Sequence, residues 1–337
     1  MVGSGKGEPI PGRSINAMSS EDALFSVPEN PVVGGEVLPD GRETDDELER
    51  VVQWFGGAVS DLENRFSSVM RQSLDEVLDG QRTGRYDVQE LEKTEKTYLG
   101  TKVEIVCRAE FGIPYGAKLD YLIAGAEVDA KFSLSGKWMI PTEAMGHLCL
   151  LMSADDKSSS FDVGMMRIGE DVLAGGKNKD GKRQISSAGR RYIKWLCKDG
   201  ALQENLLLGL DAEMLSLVMS VPSGQSRVDQ LFRCVQGRVI DRNAVLTTGK
   251  QLDAPKRVRD SRRRLASEGI VILGHQNDSP HVSRALGLPV ADKGTWVAVR
   301  LVPALGVDNR RRLTVEGIDY VVAQPGEPPV PAPRIRY

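Results

Sequence analysis

One stretch, Glu104 to Lys131, constrains this chain more than any other. Lys118 to Ala124 and Ala126 to Ser133 read as two short strands, with Ala124-Gly125 as the turn between them. A register that pairs Ile123 with Ala126 places Asp120 opposite Asp129. Facing residues on one sheet face stand about 4.5–5.5 Å apart at Cβ. Two carboxylates opposed at that distance repel, and a cation between them relieves the cost. Side chains alternate along a strand, so Asp129 and Lys131 share a face and Ala130 points the other way. Two carboxylates and one ammonium then converge on one patch. Oxygen ligands of this kind suit a hard cation such as Mg²⁺, which keeps several waters. A metal so held acidifies a water and stabilises charge growing on a phosphodiester, and a lysine beside it orients that water or neutralises that charge. The competing reading is a polar, solvated hairpin face, because Asp-x-Lys recurs by accident. The opposed second carboxylate and the preceding Glu104 set this pattern apart.

A length of 337 residues suggests about two domains, long enough to bury real cores. The net charge of -3 conceals an asymmetry: Asp40 to Arg50 is acid-rich, and Arg238 to Arg264 is rich in arginine and lysine. A basic segment inside a near-neutral chain points to an anionic partner. The four cysteines (Cys107, Cys149, Cys197, Cys234) form no C-x-x-C pair and read as reduced thiols of a cytosolic protein. His147, His275 and His281 have no zinc-ligand spacing to them. No apolar run is long enough to span a membrane, and the N-terminus carries no secretory signal pattern. The expected location is therefore the cytoplasm.

Residues 1–42, rich in Gly, Ser and Pro, read as a disordered extension. Gly3-Ser4-Gly5-Lys6-Gly7 lacks the spacing and the preceding strand of a phosphate-binding loop. Thr44 to Leu78 is helical in pattern, with Leu48, Val51, Val52 and Phe55, then Leu62, Phe66 and Val69 at helical spacing. Leu78 to Arg85 reads as a polar, glycine-bearing loop in which Gln81, Arg82 and Arg85 are candidate DNA contacts; an ordinary tight loop is the alternative. The loop faintly resembles the K-x-D-G motif of DNA ligases, but Val77 stands where the nucleophilic lysine belongs.

Leu91 to Phe111 predicts a helix with Glu104 on its inward side, either serving the site or acting as a satisfied structural acid. His147 to Met152 and Phe161 to Ile168 predict buried strands, and Gly175 to Arg183 predicts an exposed basic loop. These elements make an α/β domain over residues 43–198, followed by a linker over 199–222 that ends in a helix.

The character then changes. Ser226 to Gly237, Asp241 to Gly249 and Ala254 to Ser267 predict three helices, and Gly269 to Gly274 and Thr295 to Val302 predict two strands. Three helices followed by a β-ribbon is the winged helix-turn-helix order, in which the last helix enters the DNA major groove. Arg257, Arg259, Arg262, Arg263 and Arg264 lie on that helix as candidate phosphate and guanine contacts, unless they are only its solvated face. The fold expected is thus a mixed-sheet α/β domain, then a mostly α winged-helix-like domain over 223–326, then an extended or disordered Pro-rich tail over 327–337.

Asp79-Gly80-Gln81-Arg82-Thr83-Gly84-Arg85, Lys93-Thr94-Glu95-Lys96-Thr97, Gly100 to Ile105 and Val128 to Ser133 closely resemble the NaeI restriction endonuclease family. Trp138 to Pro141, Leu202 to Leu208 and Glu268 to Gln276 extend the likeness over about residues 44 to 325. The resemblance implies a restriction-endonuclease-like catalytic domain with Glu104, Asp120, Asp129 and Lys131 in the catalytic positions. It also implies Mg²⁺ held by Asp120, Asp129 and the carbonyl of Ala130, with Glu104 as a further candidate, and Lys93 and Lys96 among the DNA contacts.

A homodimer is implied that cleaves double-stranded DNA and binds two copies of its site, one as effector, at GCCGGC or a related sequence. A cognate methyltransferase is an expected companion. The segments around Tyr115 to Lys118 and Ser133 to Lys137 depart from the family pattern. Glu104, Asp120 and Asp129-x-Lys131 also resemble the MutH and Sau3AI group, which implies a DNA-nicking repair enzyme instead. A non-catalytic DNA-binding regulator is the third reading.

Overall fold

The computed structural model describes residues 44–58, 61–306 and 309–337. The extension expected over residues 1–42 lies outside them. The first helical stretch resolves into α1 (Asp46–Ala58) and α2 (Leu62–Leu78). Helix α1 opens on Asp46, Glu47 and Glu49, acids that suit a helix N-terminus. The segment expected as a loop over Leu78–Arg85 is instead a helical turn, α3 (Gly80–Thr83), closed by Gly84 in the left-handed region at φ 79°. Helix α4 (Lys93–Phe111) follows, with Leu99, Val103, Val106, Cys107 and Phe111 buried.

Five strands form the first sheet: β1 (Tyr121–Ile123), β2 (Ala126–Ser133), β4 (Leu148–Asp155), β5 (Ser160–Arg167) and β8 (Lys194–Ala201), in the order β1-β2-β4-β5-β8. Only β2 and β4 run parallel; the other pairs are antiparallel. Strand β4 is buried along almost its whole length because both of its faces are covered. Leu148, Leu150 and Met152 join Phe55, Phe66, Leu74, Leu99 and Val103 on the helical side. Cys149 and Leu151 join Trp138, Ile140, Met166 and Ile168 on the other. That second layer carries a small sheet of β3 (Met139–Ile140), β6 (Leu173–Lys177) and β7 (Arg183–Ile185), ordered β3-β7-β6. The basic loop expected over 175–183 is therefore largely the end of a hairpin.

The segment expected as a linker is packed down. Leu202 joins the first core, and Leu206, Leu207 and Leu210 join another. Asn205 Nδ2 donates to the Tyr86 carbonyl at 2.8 Å and to Asp156 at 3.1 Å. Helix α5 (Ala212–Met219) ends it. There follow α6 (Gly224–Cys234), β9 (Val239–Asp241), α7 (Arg242–Gly249), α8 (Ala254–Leu265), β10 (Ile270–Leu273), α9 (Ser279–Leu286), β11 (Thr295–Pro303), β12 (Leu313–Val315) and β13 (Ile318–Val322). The second sheet runs β10-β11-β13-β12, with β9 also paired to β11. The three helices and two strands that the sequence predicts are present; β9, α9, β12 and β13 are additional to them. Val228, Phe232, Val258 and Leu265 bury one face of this region against Ile272 and Trp296. The tail is extended, as expected, and docked: Ala332 N donates to Ala266 O at 2.7 Å, and Asp278 N to Arg336 O at 3.0 Å. No described helix is long and apolar enough to cross a membrane.

Candidate active site

Ala124 and Gly125 both take positive φ, 49° and 81°. That is the backbone of a two-residue primed turn, whose twist matches its strands. It sets the register Tyr121↔Val128, Leu122↔Glu127 and Ile123↔Ala126, as the sequence predicts. Asp120 sits one residue before β1, so it meets β2 at Asp129 and Ala130. Its Oδ2 accepts a hydrogen bond from Ala130 N at 2.7 Å.

Asp129 is buried, and its Oδ2 lies 2.6 Å from Lys131 Nζ. The same ammonium donates to Ala130 O at 3.1 Å. The parallel register sets Cys149 beside Asp129, and its thiol donates to Asp129 Oδ2 at 3.5 Å. Helix α4 brings Glu104 from the other side, tied by Tyr121 Oη donating to the Glu104 carbonyl at 2.8 Å.

Charge in this cluster is unbalanced. Burial pushes the Glu104 carboxyl above its usual range; Asp120 adds to that, and Arg108 and Lys131 oppose it. Burial likewise raises Asp129, Asp120 adds to the rise, and Lys131 works against it. Burial and Asp129 keep the Cys149 thiol well above the usual range, so it stays protonated.

The donor set fits a hard divalent cation held through few protein ligands. Asp120 and Asp129 each spend only Oδ2 on described protein groups, which leaves Oδ1 of each for a ligand. No group of three or more His, Cys, Asp or Glu side chains poised to hold a metal occurs among the described residues. Two carboxylates and the Ala130 carbonyl are thus the set at hand, and Glu104 bears on it through charge.

Sequence reasoning missed Glu127. Its carboxylate accepts hydrogen bonds from Ala117 N (2.7 Å), Leu119 N (2.9 Å) and Lys118 N (3.2 Å). Those bonds hold the carboxyl below its ordinary range. They also end β1 at Tyr121, since the amides that would extend the ladder turn to Glu127. The available signal was parity: Glu127, Asp129 and Lys131 alternate onto one face.

The candidate DNA contacts are dispersed. Gln81 and the exposed Arg82 stand on α3, where Arg82 pairs with Asp79 at 2.9 Å. Arg85 grips Glu95 with two bonds of 2.8 Å. Lys93 is exposed at the start of α4, and Lys96 donates to Gln89 O at 3.2 Å. On α8, Arg257 and Arg263 pair with Asp260, and Arg264 with Asp229. Arg262 Nε donates to Ile272 O at 2.8 Å, and its guanidinium lies 3.9 Å from the Tyr337 ring centre. Arg259 is exposed and pairs with no carboxylate among the described residues.

Two comparisons with known proteins bear on the family of this chain. The family model described as restriction endonuclease NaeI matches residues 58–331. The type II restriction enzyme NaeI of Lentzea aerocolonigenes is 44% identical over 302 residues, covering 86% of this chain and 95% of that enzyme.

Proposed function

Since this chain belongs to the NaeI restriction endonuclease family, and is thereby a type II site-specific deoxyribonuclease, we propose that it hydrolyses double-stranded DNA with Mg²⁺ at Asp120, Asp129 and the Ala130 carbonyl. The observation that carries this reading is the convergence of Asp120, Asp129 and Lys131 on one hairpin, with Lys131 Nζ 2.6 Å from Asp129. Bound Mg²⁺ supplies Lewis acidity and a water of lowered pKa. Lys131, held between the Asp129 carboxylate and the Ala130 carbonyl, orients the attacking water and neutralises charge on the phosphate. Glu104 supports the site electrostatically. The products are a 5′-phosphate and a 3′-hydroxyl.

Residues 43–198 are read as the catalytic domain and 223–326 as a DNA-binding domain of winged-helix type, joined by 199–222. The order α6-β9-α7-α8-β10-β11, with β9 and β10 both paired to β11, supports that assignment. The family relation supports a homodimer with two DNA sites, one an effector, a target of GCCGGC or a related sequence, and a partner methyltransferase.

The test incubates wild type and Asp129→Ala with mixed-sequence plasmid and Mg²⁺. Discrete linear fragments from wild type alone are expected, and their ends give the site. Nicked circles alone would replace this reading with the repair-nickase one. Binding without cleavage on every plasmid would replace it with a regulator.

A further inference from the structure

A cleft of about 350 Å³ opens between α8, the start of α9 and the loop that leads into β11. Arg242, Arg259, Arg262, His275 and Lys293 line it, and no Asp or Glu does. The four cationic side chains have no carboxylate partner among the described residues, in contrast to Arg257, Arg263 and Arg264 on the same helix α8. Burial pushes Arg262 down to about 10; Tyr337 works against that and Arg259 adds to it. The Arg262 Nε is spent on Ile272 O and the Tyr337 ring covers one face of its guanidinium, which leaves its terminal nitrogens as donors.

A second observation also points to an anion. Ser279, the first residue of α9, is fully buried, lines the cleft, and its Oγ has no hydrogen-bond partner. A helix N-terminus carries partial positive charge and favours anions. The carboxylate of Asp278, just before it, is taken by the amide and guanidinium of Arg336.

We propose that this cleft seats a backbone phosphate of duplex DNA, with Arg259, Arg262 and Lys293 as charge partners and Ser279 Oγ as a neutral donor. Arginine forks match phosphate oxygens two at a time. Arg242, Arg259 and Lys293 are exposed at the rim and Arg262 is half-buried, an arrangement open to a passing strand rather than closed around a small molecule. The inference rests on reading residues 223–326 as DNA-binding, and it adds Arg242, Ser279 and Lys293 to the arginines expected from sequence.

The test measures binding of a fluorescent duplex by anisotropy across a salt series, with Asp129→Ala as the uncut parent. Arg259→Ala/Lys293→Ala and Ser279→Ala are made in that parent. Each lost phosphate contact lowers the slope of log K against log salt by about 1. The double variant is expected to lose about 1 to 2 from the slope and at least tenfold in affinity at low salt. Ser279→Ala should lose about twofold to tenfold, with the melting temperature kept. A double variant that keeps the parent's slope and affinity overturns the proposal. Inorganic pyrophosphate bound by the parent and not by the double variant, with duplex binding equal in both, marks a small-anion site and also overturns it. A parent that binds no duplex removes the DNA-binding reading itself, and the proposal with it.

Discussion

Replacing Gly116 with alanine tests how Asp120 is placed. Gly116 lies four residues before Asp120, in the loop whose amides bind Glu127. A Cβ there would stand 2.5 Å from Leu119 O and 2.9 Å from Tyr121 O, and against the Glu127 carboxylate. Two of those atoms are backbone, so no rotamer relieves the clash. Restoring a separation of 3.0–3.4 Å from Leu119 O moves the loop by about 0.5–0.9 Å. Overpacking of this kind costs about 1–3 kcal/mol, a few degrees of melting temperature in a chain of this size. A misplacement near 1 Å costs about 10²-fold in rate. Gly116→Ala should therefore cut single-turnover cleavage by about 30- to 100-fold at saturating DNA and Mg²⁺. Duplex affinity should stay within about twofold, since the change leaves the α8 region alone. If cleavage stays within threefold of wild type while melting drops by the expected few degrees, the loop moved and Asp120's placement did not depend on it.

Glu127→Gln should leave the melting temperature nearly unchanged but raise the Mg²⁺ needed for half-maximal cleavage, because an amide holds three backbone N–H groups less well than a carboxylate; a wild-type metal-activation curve would disprove this. Burial pushes Asp75 up to about 6, with Asp241 and Asp156 adding and Arg71 opposing. A raised carboxyl contributes stability while protonated and loses it as pH climbs from 3.8 through about 6, at most about 3 kcal/mol for roughly two units. Asp75→Asn should accordingly flatten the fall in melting temperature between about pH 4 and 7, and a steeper fall would refute the sign. Leu150→Ala, fully buried at the centre of β4, should cost about 2–5 kcal/mol in denaturant unfolding, and a loss below 1 would mean that the site collapses around the void.

The hairpin was legible because its information is local. Ala124-Gly125 names the turn, and the alternation from Ala126 to Ser133 names the faces. Helix α4 was legible for the same reason. Glu127 escaped notice because its partners, the amides of Ala117 to Leu119, are chosen by the folded loop and carry no side-chain signature. Gly80 and Gly84 are needed for close approach: a Cβ on Gly80 would meet Arg85 O and the Thr247 side chain, and one on Gly84 the Lys250 side chain. Helix α9 has only eight residues and begins at Ser279-Pro280, too short for periodicity to register. The arginines of α8 look alike in sequence; Asp229, on α6, and Asp260 neutralise some of them, and only the fold shows which.

The two carboxylates of the hairpin have unequal anchorage. Asp129 belongs to a strand zipped to β4, so the amides around it should exchange with solvent hydrogen only when the whole sheet opens. Asp120 ends a short loop tied by the half-buried Glu127, by Leu122 N donating to Pro114 O and by its own bond from Ala130 N, and the amides of Ala117 to Leu119 should exchange through small openings that leave the sheet intact. One carboxylate of the pair is thus fixed and the other breathes, so the pair stays assembled only as long as its looser member holds.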